Sequence, residues 1–149
     1  MGDESVFLHT YSHALDAKGR LIIPAKYRDD IGDAPVVVTR GWDNNLVVYT
    51  MEAWETYTRS WLELPTSDPK VRKYRRFVAT NAEQCELDKQ GRILISQELR
   101  AHAGLEKDVV ISGNLTSFEL WNPQRWLEVS DFGDDETISR EIGELNASI

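Results

Sequence analysis

Fourteen residues of this chain occur twice, and the repetition constrains the fold more than any other feature. Leu15-Asp16-Ala17-Lys18-Gly19-Arg20-Leu21-Ile22-Ile23-Pro24-Ala25-Lys26-Tyr27-Arg28 returns 72 residues later as Leu87-Asp88-Lys89-Gln90-Gly91-Arg92-Ile93-Leu94-Ile95-Ser96-Gln97-Glu98-Leu99-Arg100. Six positions are identical: Leu15/Leu87, Asp16/Asp88, Gly19/Gly91, Arg20/Arg92, Ile23/Ile95 and Arg28/Arg100. The same offset pairs Gly32 with Gly104, Gly41 with Gly113 and Trp54 with Trp126, so the similarity runs well past one motif. With 149 residues, the chain suits one ordinary domain or two very small ones, and a duplication favours two half-size units sharing a core.

Composition narrows the class. At 41% apolar and 28% charged, with five Trp, the chain is globular rather than disordered. No apolar run reaches membrane-spanning length. Met1-Gly2-Asp3-Glu4 is acidic where a signal peptide would be basic, and a lone Cys85 suits a reducing compartment. The expectation is a cytoplasmic protein. A net charge of −8 argues against nucleic acid at first sight. However, seven acids and one base from Glu128 onward carry −6 of it, leaving −2 on residues 1–127, where local cation clusters can still form a basic face.

The order of elements follows from local chemistry. Val6 to Ala14 suits a strand. Asp16-Ala17-Lys18-Gly19 is a turn: Asp accepts from the following backbone and Gly tolerates positive φ. Leu21-Ile22-Ile23 is a short apolar strand, and Pro24 suits the first position of a helix that Gly32 ends. In the second copy Ser96 replaces the proline as a side-chain cap. Residues 35–39 and 46–49 read as a strand pair turning through residues 41–45. Their counterparts are 108–111 and 117–121, with Gly113-Asn114 in the turn. Asp68-Pro69 and Asn122-Pro123 are cap-and-proline helix starts. Trp54, Tyr57, Trp61 and Leu62 form one apolar helix face. Each unit is then strand, strand, short helix, strand, strand, helix. The segment from Asp131 on is expected to be mobile, with at most a weak amphipathic helix.

Four cations stand out: Lys18 and Arg20 in the first turn, Lys89 and Arg92 in the second. Two pseudo-symmetric loops presenting paired cations match a repeating polyanion such as DNA, where Arg can read guanine bidentately and Lys neutralises phosphate. The alternative is that each Arg pairs with Asp16 or Asp88 and only pins its turn; both roles coexist if the Asp orients the Arg. Lys70, Arg72, Lys73, Arg75 and Arg76 read as the solvated face of a helix packed through Val71, Tyr74, Phe77 and Val78. A proton-sharing Asp16/Asp88 dyad is disfavoured, because neighbouring cations hold both carboxylates ionised. His9, His13, His102 and Cys85 have no metal-ligand spacing, and neither a Gly-rich phosphate loop nor a nucleophile signature occurs. No cofactor, metal or small-molecule substrate is expected.

The two Leu-Asp-x-x-Gly-Arg segments, the Pro and helix ending in Arg28, Cys85-Glu86-Leu87-Asp88 and Phe118-Glu119-Leu120-Trp121 together resemble the MraZ family of bacterial regulators over about residues 7–128. The resemblance implies an α+β fold: tandem, pseudo-symmetric AbrB-like swapped-hairpin β-barrel units with flanking helices. Residues 10–57 would be the first DNA-binding unit, 58–82 a helical connector, 83–128 the second unit and 129–149 an acidic mobile tail. It further implies a ring-shaped homo-oligomer, nucleoid-associated, that binds double-stranded DNA at short direct repeats upstream of the division and cell wall gene cluster. The DNA contact carries over to Lys18, Arg20, Lys89 and Arg92. This chain departs from the family's pattern at His9, where a Gly is usual, at Ser96, where Pro is common, and in the second loop, whose lysine sits one place earlier. The first loop is therefore expected to dominate. Two other readings predict different chemistry: an AbrB-like protein–protein module of antitoxin type, and a pseudo-symmetric aspartate enzyme.

Overall fold

The computed structural model describes residues 5–145. Its elements run β1 (Thr10–Ala14), β2 (Arg20–Ile22), α1 (Ala25–Ile31), β3 (Val36–Arg40), β4 (Leu46–Thr50), α2 (Met51–Leu62) and α3 (Pro69–Thr80). Then follow β5 (Ala82–Cys85), β6 (Arg92–Leu94), α4 (Gln97–Ala103), β7 (Asp108–Asn114), β8 (Ser117–Trp121), α5 (Pro123–Val129) and α6 (Asp135–Glu144). Each half has the expected strand–strand–helix–strand–strand–helix order, with α3 between them and α6 after them. The architecture is mixed α+β with antiparallel sheet. No helix among the described residues is long and apolar enough to cross a membrane.

The halves exchange strands. The six-stranded sheet runs β1-β7-β8-β4-β3-β5, and a separate two-stranded ribbon pairs β2 with β6. The first strand of each half therefore pairs with the other half: β1 lies along β7, with Thr10 opposite Ser112, and β5 along β3, with Cys85 opposite Val36. The described strands form an open sheet with edges β1 and β5 rather than a closed barrel. One core serves both halves, with Leu21, Ile23, Ile93 and Ile95 from the ribbon fully buried among Val36, Val38, Val48, Ile111 and Leu120 of the sheet. Burying each such side chain contributes roughly 1.5–3 kcal/mol, so neither half keeps its core without the other. Phe7, Tyr11, Tyr27 and Phe118 close one end with ring contacts of 4.9–5.3 Å. The Tyr27 hydroxyl donates to the Leu8 carbonyl at 2.6 Å, and burial pushes its pKa up to about 12, so it stays a donor.

Most local signals held. Asp68 Oδ1 accepts from Lys70 N at 2.8 Å and Asn122 Oδ1 from Gln124 N at 2.8 Å, each just before a helical proline. Ser96 caps α4 by accepting from Leu99 N at 3.3 Å, and Gly32 and Gly104 end α1 and α4. In the acidic tail, the amphipathic pattern of Ile138 and Ile142 is carried by a ten-residue helix, α6, capped by Asp134, as the sequence allowed. Two readings need correction. Pro24 is the extended residue flanking α1 (ψ 139), one place before the first helical position. And Gly113 does not turn the β7–β8 hairpin: it lies inside β7, and Leu115, at φ 69, makes the turn with Thr116. Gly113 is where the Phe7–His9 segment crosses closest. Its N–H donates to the His9 carbonyl at 2.8 Å, and a Cβ there would stand 2.4 Å from the Phe7 carbonyl oxygen. His9 itself adopts φ 71, the left-handed conformation a glycine would hold without strain.

A candidate nucleic-acid interface on the β2–β6 ribbon

The ribbon is three residues long on each strand, with Leu21 opposite Ile93 at its centre, Arg20 opposite Leu94, and Ile22 opposite Arg92. Side chains alternate across a strand, so Leu21 and Ile93 enter the core while Arg20, Ile22, Arg92 and Leu94 share the outer face. Ile22 and Leu94 are accordingly 40% and 58% exposed despite being apolar. A pseudo-twofold axis through the Leu21–Ile93 pair relates the two arginines.

The turns that present them are near copies. In each, the Asp carboxylate accepts two backbone N–H groups at 2.9 Å, from Lys18 and Arg20 for Asp16 and from Gln90 and Arg92 for Asp88. Its second oxygen takes the guanidinium Nε, at 2.6 Å from Arg20 and 2.8 Å from Arg92. Gly19 and Gly91 close the turns at φ 83 and 79, and each loop grips the other copy's strand: Ile23 N–H donates to Gly91 O at 2.9 Å and Ile95 N–H to Gly19 O at 3.0 Å. The backbone N–H of Arg20 does most to hold the Asp16 carboxyl below its usual range, as that of Arg92 does for Asp88. Both aspartates are therefore ionised at neutral pH, each bonded to the Arg of its own turn, which removes the proton-sharing dyad. The pairing that would pin the turn is present, and it also orients the guanidinium: Nε is tied down while Arg20 and Arg92 keep 32% and 23% of their side chains exposed.

The symmetry is imperfect. Arg92 Nη1 also reaches Asp16 Oδ2 at 3.7 Å, so the ions run Asp88–Arg92–Asp16–Arg20. Arg92 is shared between two carboxylates and Arg20 has one, leaving Arg20 the freer cation. This row of two carboxylates and two guanidiniums is neutral. Lys18 and Lys89 are exposed on the flanking turns and in no ion pair among the described residues, so they add two cations to that neutral row.

Two more residues belong here that the sequence reading left without a role. Arg28 from α1 lies over Gly91, and Arg100 from α4 over Gly19. A Cβ on Gly91 would stand 2.4 Å from Arg28 Nη1, and one on Gly19 would stand 2.9 Å from Arg100 Cζ. Arg100 Nε donates to the Ile95 carbonyl at 3.0 Å, whereas the buried Arg28 Nε has no partner among the described residues. Each helix thus caps the opposite copy's turn, which explains why Gly and Arg recur together at the same offset. The outward Ile22 and Leu94 were also missed; strict alternation inside the apolar triplets was their signal. By contrast, the α3 cations lie on a different element, with Lys70, Arg72, Lys73 and Arg76 exposed and Arg72 Nη1 donating to the Thr66 carbonyl at 2.9 Å.

Residues 6–77 and 78–137 each match the family model described as "MraZ protein, putative antitoxin-like". This chain belongs to the MraZ family. The two matched stretches divide it close to the duplication. Curated relatives agree along nearly the whole length. A protein named transcriptional regulator MraZ from Thermoanaerobacter pseudethanolicus is 45% identical over 138 residues, covering 91% of this chain and 96% of its own. Its namesakes from Acetivibrio thermocellus (42% over 144 residues, 97% and 99% covered) and Ligilactobacillus salivarius (43% over 130 residues, 87% and 90%) are similar over comparable lengths.

Proposed function

We propose that this MraZ-family chain is a non-enzymatic, sequence-specific DNA-binding regulator of transcription, and that the outer face of the β2–β6 ribbon is its reading surface. The observation that carries the reading is the pair of Asp-oriented guanidiniums, Arg20 and Arg92, set across a pseudo-twofold on a two-stranded ribbon. A ribbon of this width is one of the two elements the major groove admits, and an oriented Arg suits guanine O6 and N7. Lys18 and Lys89 serve the flanking phosphates, and Ile22 and Leu94 suit thymine methyls. The names of the relatives support the regulatory role.

Residues 10–57 and 83–128 are taken as two swapped-hairpin, AbrB-like units joined by 58–82 and followed by the 129–149 tail; the exchange of β1 and β5 supports the swap. The protein works in the cytoplasm at the nucleoid, on short direct repeats upstream of the division and cell wall genes. One copy offers few cations and binds feebly. A ring of copies engages several boxes at once and gains by effective concentration where box and subunit spacing match. Gel retention with duplexes bearing one box or several in-phase boxes tests this. The expected result is at least a hundredfold tighter retention on the repeated boxes, with a steep salt dependence. Equal retention on one box, repeated boxes and scrambled sequence would overturn it.

A further inference from the structure

The segment after α5 is not an inert tail. Helix α6 turns Ile138, Ile142 and Leu145 to one side with Phe132, yet none of its residues is buried, and the hollow over that face is lined by residues of 132–145 alone. A ten-residue helix is marginal in water without something to pack on. Elsewhere a groove of about 370 Å³ opens between α2 and α3 over the β3–β5 edge, lined by Trp54, Trp61, Leu62, Val78 and Arg75. Of the bases on α3, Arg75 lines the groove, and the helix also carries Lys70, Arg72, Lys73 and Arg76 with no acid, none of the five in an ion pair among the described residues. Helix α6 with its cap holds Asp134, Asp135, Glu136, Glu141 and Glu144 against a single Arg140.

An acidic helix with an apolar stripe and an apolar groove walled on one side by the basic helix α3 are complementary in both respects. The chain's own α6 contributes nothing to the groove lining. Its base, α5, is tied to the β7 side, where Asn122 Nδ2 donates to Gly104 O at 2.9 Å, while the groove sits at the opposite edge of the sheet. We propose that α6 of one copy seats in the α2–α3 groove of a second copy. The inference rests on the oligomeric part of the function proposed above and names the contact that builds it. Because the two patches differ, the contact is head-to-tail, the type that closes into a ring when the rotation per subunit allows.

The test uses full-length chains altered at surface positions, with folding checked by thermal melts. Ile142→Glu spoils the helix and Leu62→Glu, at a position 65% exposed, spoils the groove; Leu145→Glu is a second helix variant. By mass measurement in solution, each variant alone is expected to fall to a single chain. Mixing Ile142→Glu with Leu62→Glu joins one intact groove to one intact helix, so the mixture is expected to give 1:1 dimers and nothing larger. A variant that keeps the wild-type assembly, or a mixture that stays single, overturns the contact while leaving an oligomeric regulator intact. A wild-type protein that is itself a single chain overturns both.

Discussion

Reversing the charge at Arg20 is expected to weaken DNA retention at least a hundredfold, and the same change at Arg92 about tenfold. One lost oriented Arg is worth roughly 1–3 kcal/mol at a single contact. Every copy in an assembly carries the change, so the loss multiplies across engaged sites. The ranking comes from the ion chain. Arg92 stands between Asp88 at 2.8 Å and Asp16 at 3.7 Å, so part of its charge is already answered within the protein. Arg20 has only Asp16, keeps 32% of its side chain exposed, and has Lys18 beside it on the turn. Gel retention of Arg20→Glu and Arg92→Glu, with melts to confirm intact folding, decides it. Equal losses, or a larger one at Arg92, would remove the asymmetry between the loops.

Replacing Gly113 with alanine is expected to cost about 3 kcal/mol, because the added methyl meets backbone that cannot rotate away. The obstacles are the Phe7 carbonyl at 2.4 Å and Leu8 Cα at 2.6 Å, on the segment that holds the Phe7 ring in the aromatic cluster. For a chain of this size that loss lowers Tm by roughly 6–12 °C. Gly143→Ala, which meets nothing within 4 Å on α6, serves as the control and should leave Tm unchanged or slightly raised. Calorimetry on the two variants checks the contrast; a melt of Gly113→Ala within a degree of wild type would mean that the Phe7–His9 crossing is not tight.

Why some of this was legible beforehand and some was not has a physical basis. Caps and turns are local: Asp68-Pro69, Asn122-Pro123, Ser96, and the Asp16 and Asp88 turns are each specified by residues within four positions of one another, so reading along the chain finds them. Strand exchange is not local. Nothing in residues 10–14 says that their partner is 108–112 rather than a neighbour, since periodicity reports which face is buried and not against what. Gly113 misled for the same reason. Glycine beside Asn reads as a turn, but its purpose is set by Phe7, which lies more than a hundred positions away.

The site divides likewise. Arg20 and Arg92 were visible because their aspartates are four residues off. The caps that Arg28 and Arg100 place over Gly91 and Gly19 cross between repeats, and only the shared offset hinted at them. The tail was read as at most weakly helical because an acidic, apolar-poor segment has little reason to fold by itself; the helix seen there makes sense as half of a contact.

Where the DNA lies is the question on which the account turns. A photo-crosslinking residue at Ala17, exposed on the first turn, or at Arg72, exposed on α3, with a repeat-bearing duplex added before irradiation, answers it directly. The account predicts covalent DNA adducts from position 17 and none from position 72. Adducts from position 72 with none from position 17 would place the nucleic acid on the basic helix and contradict it.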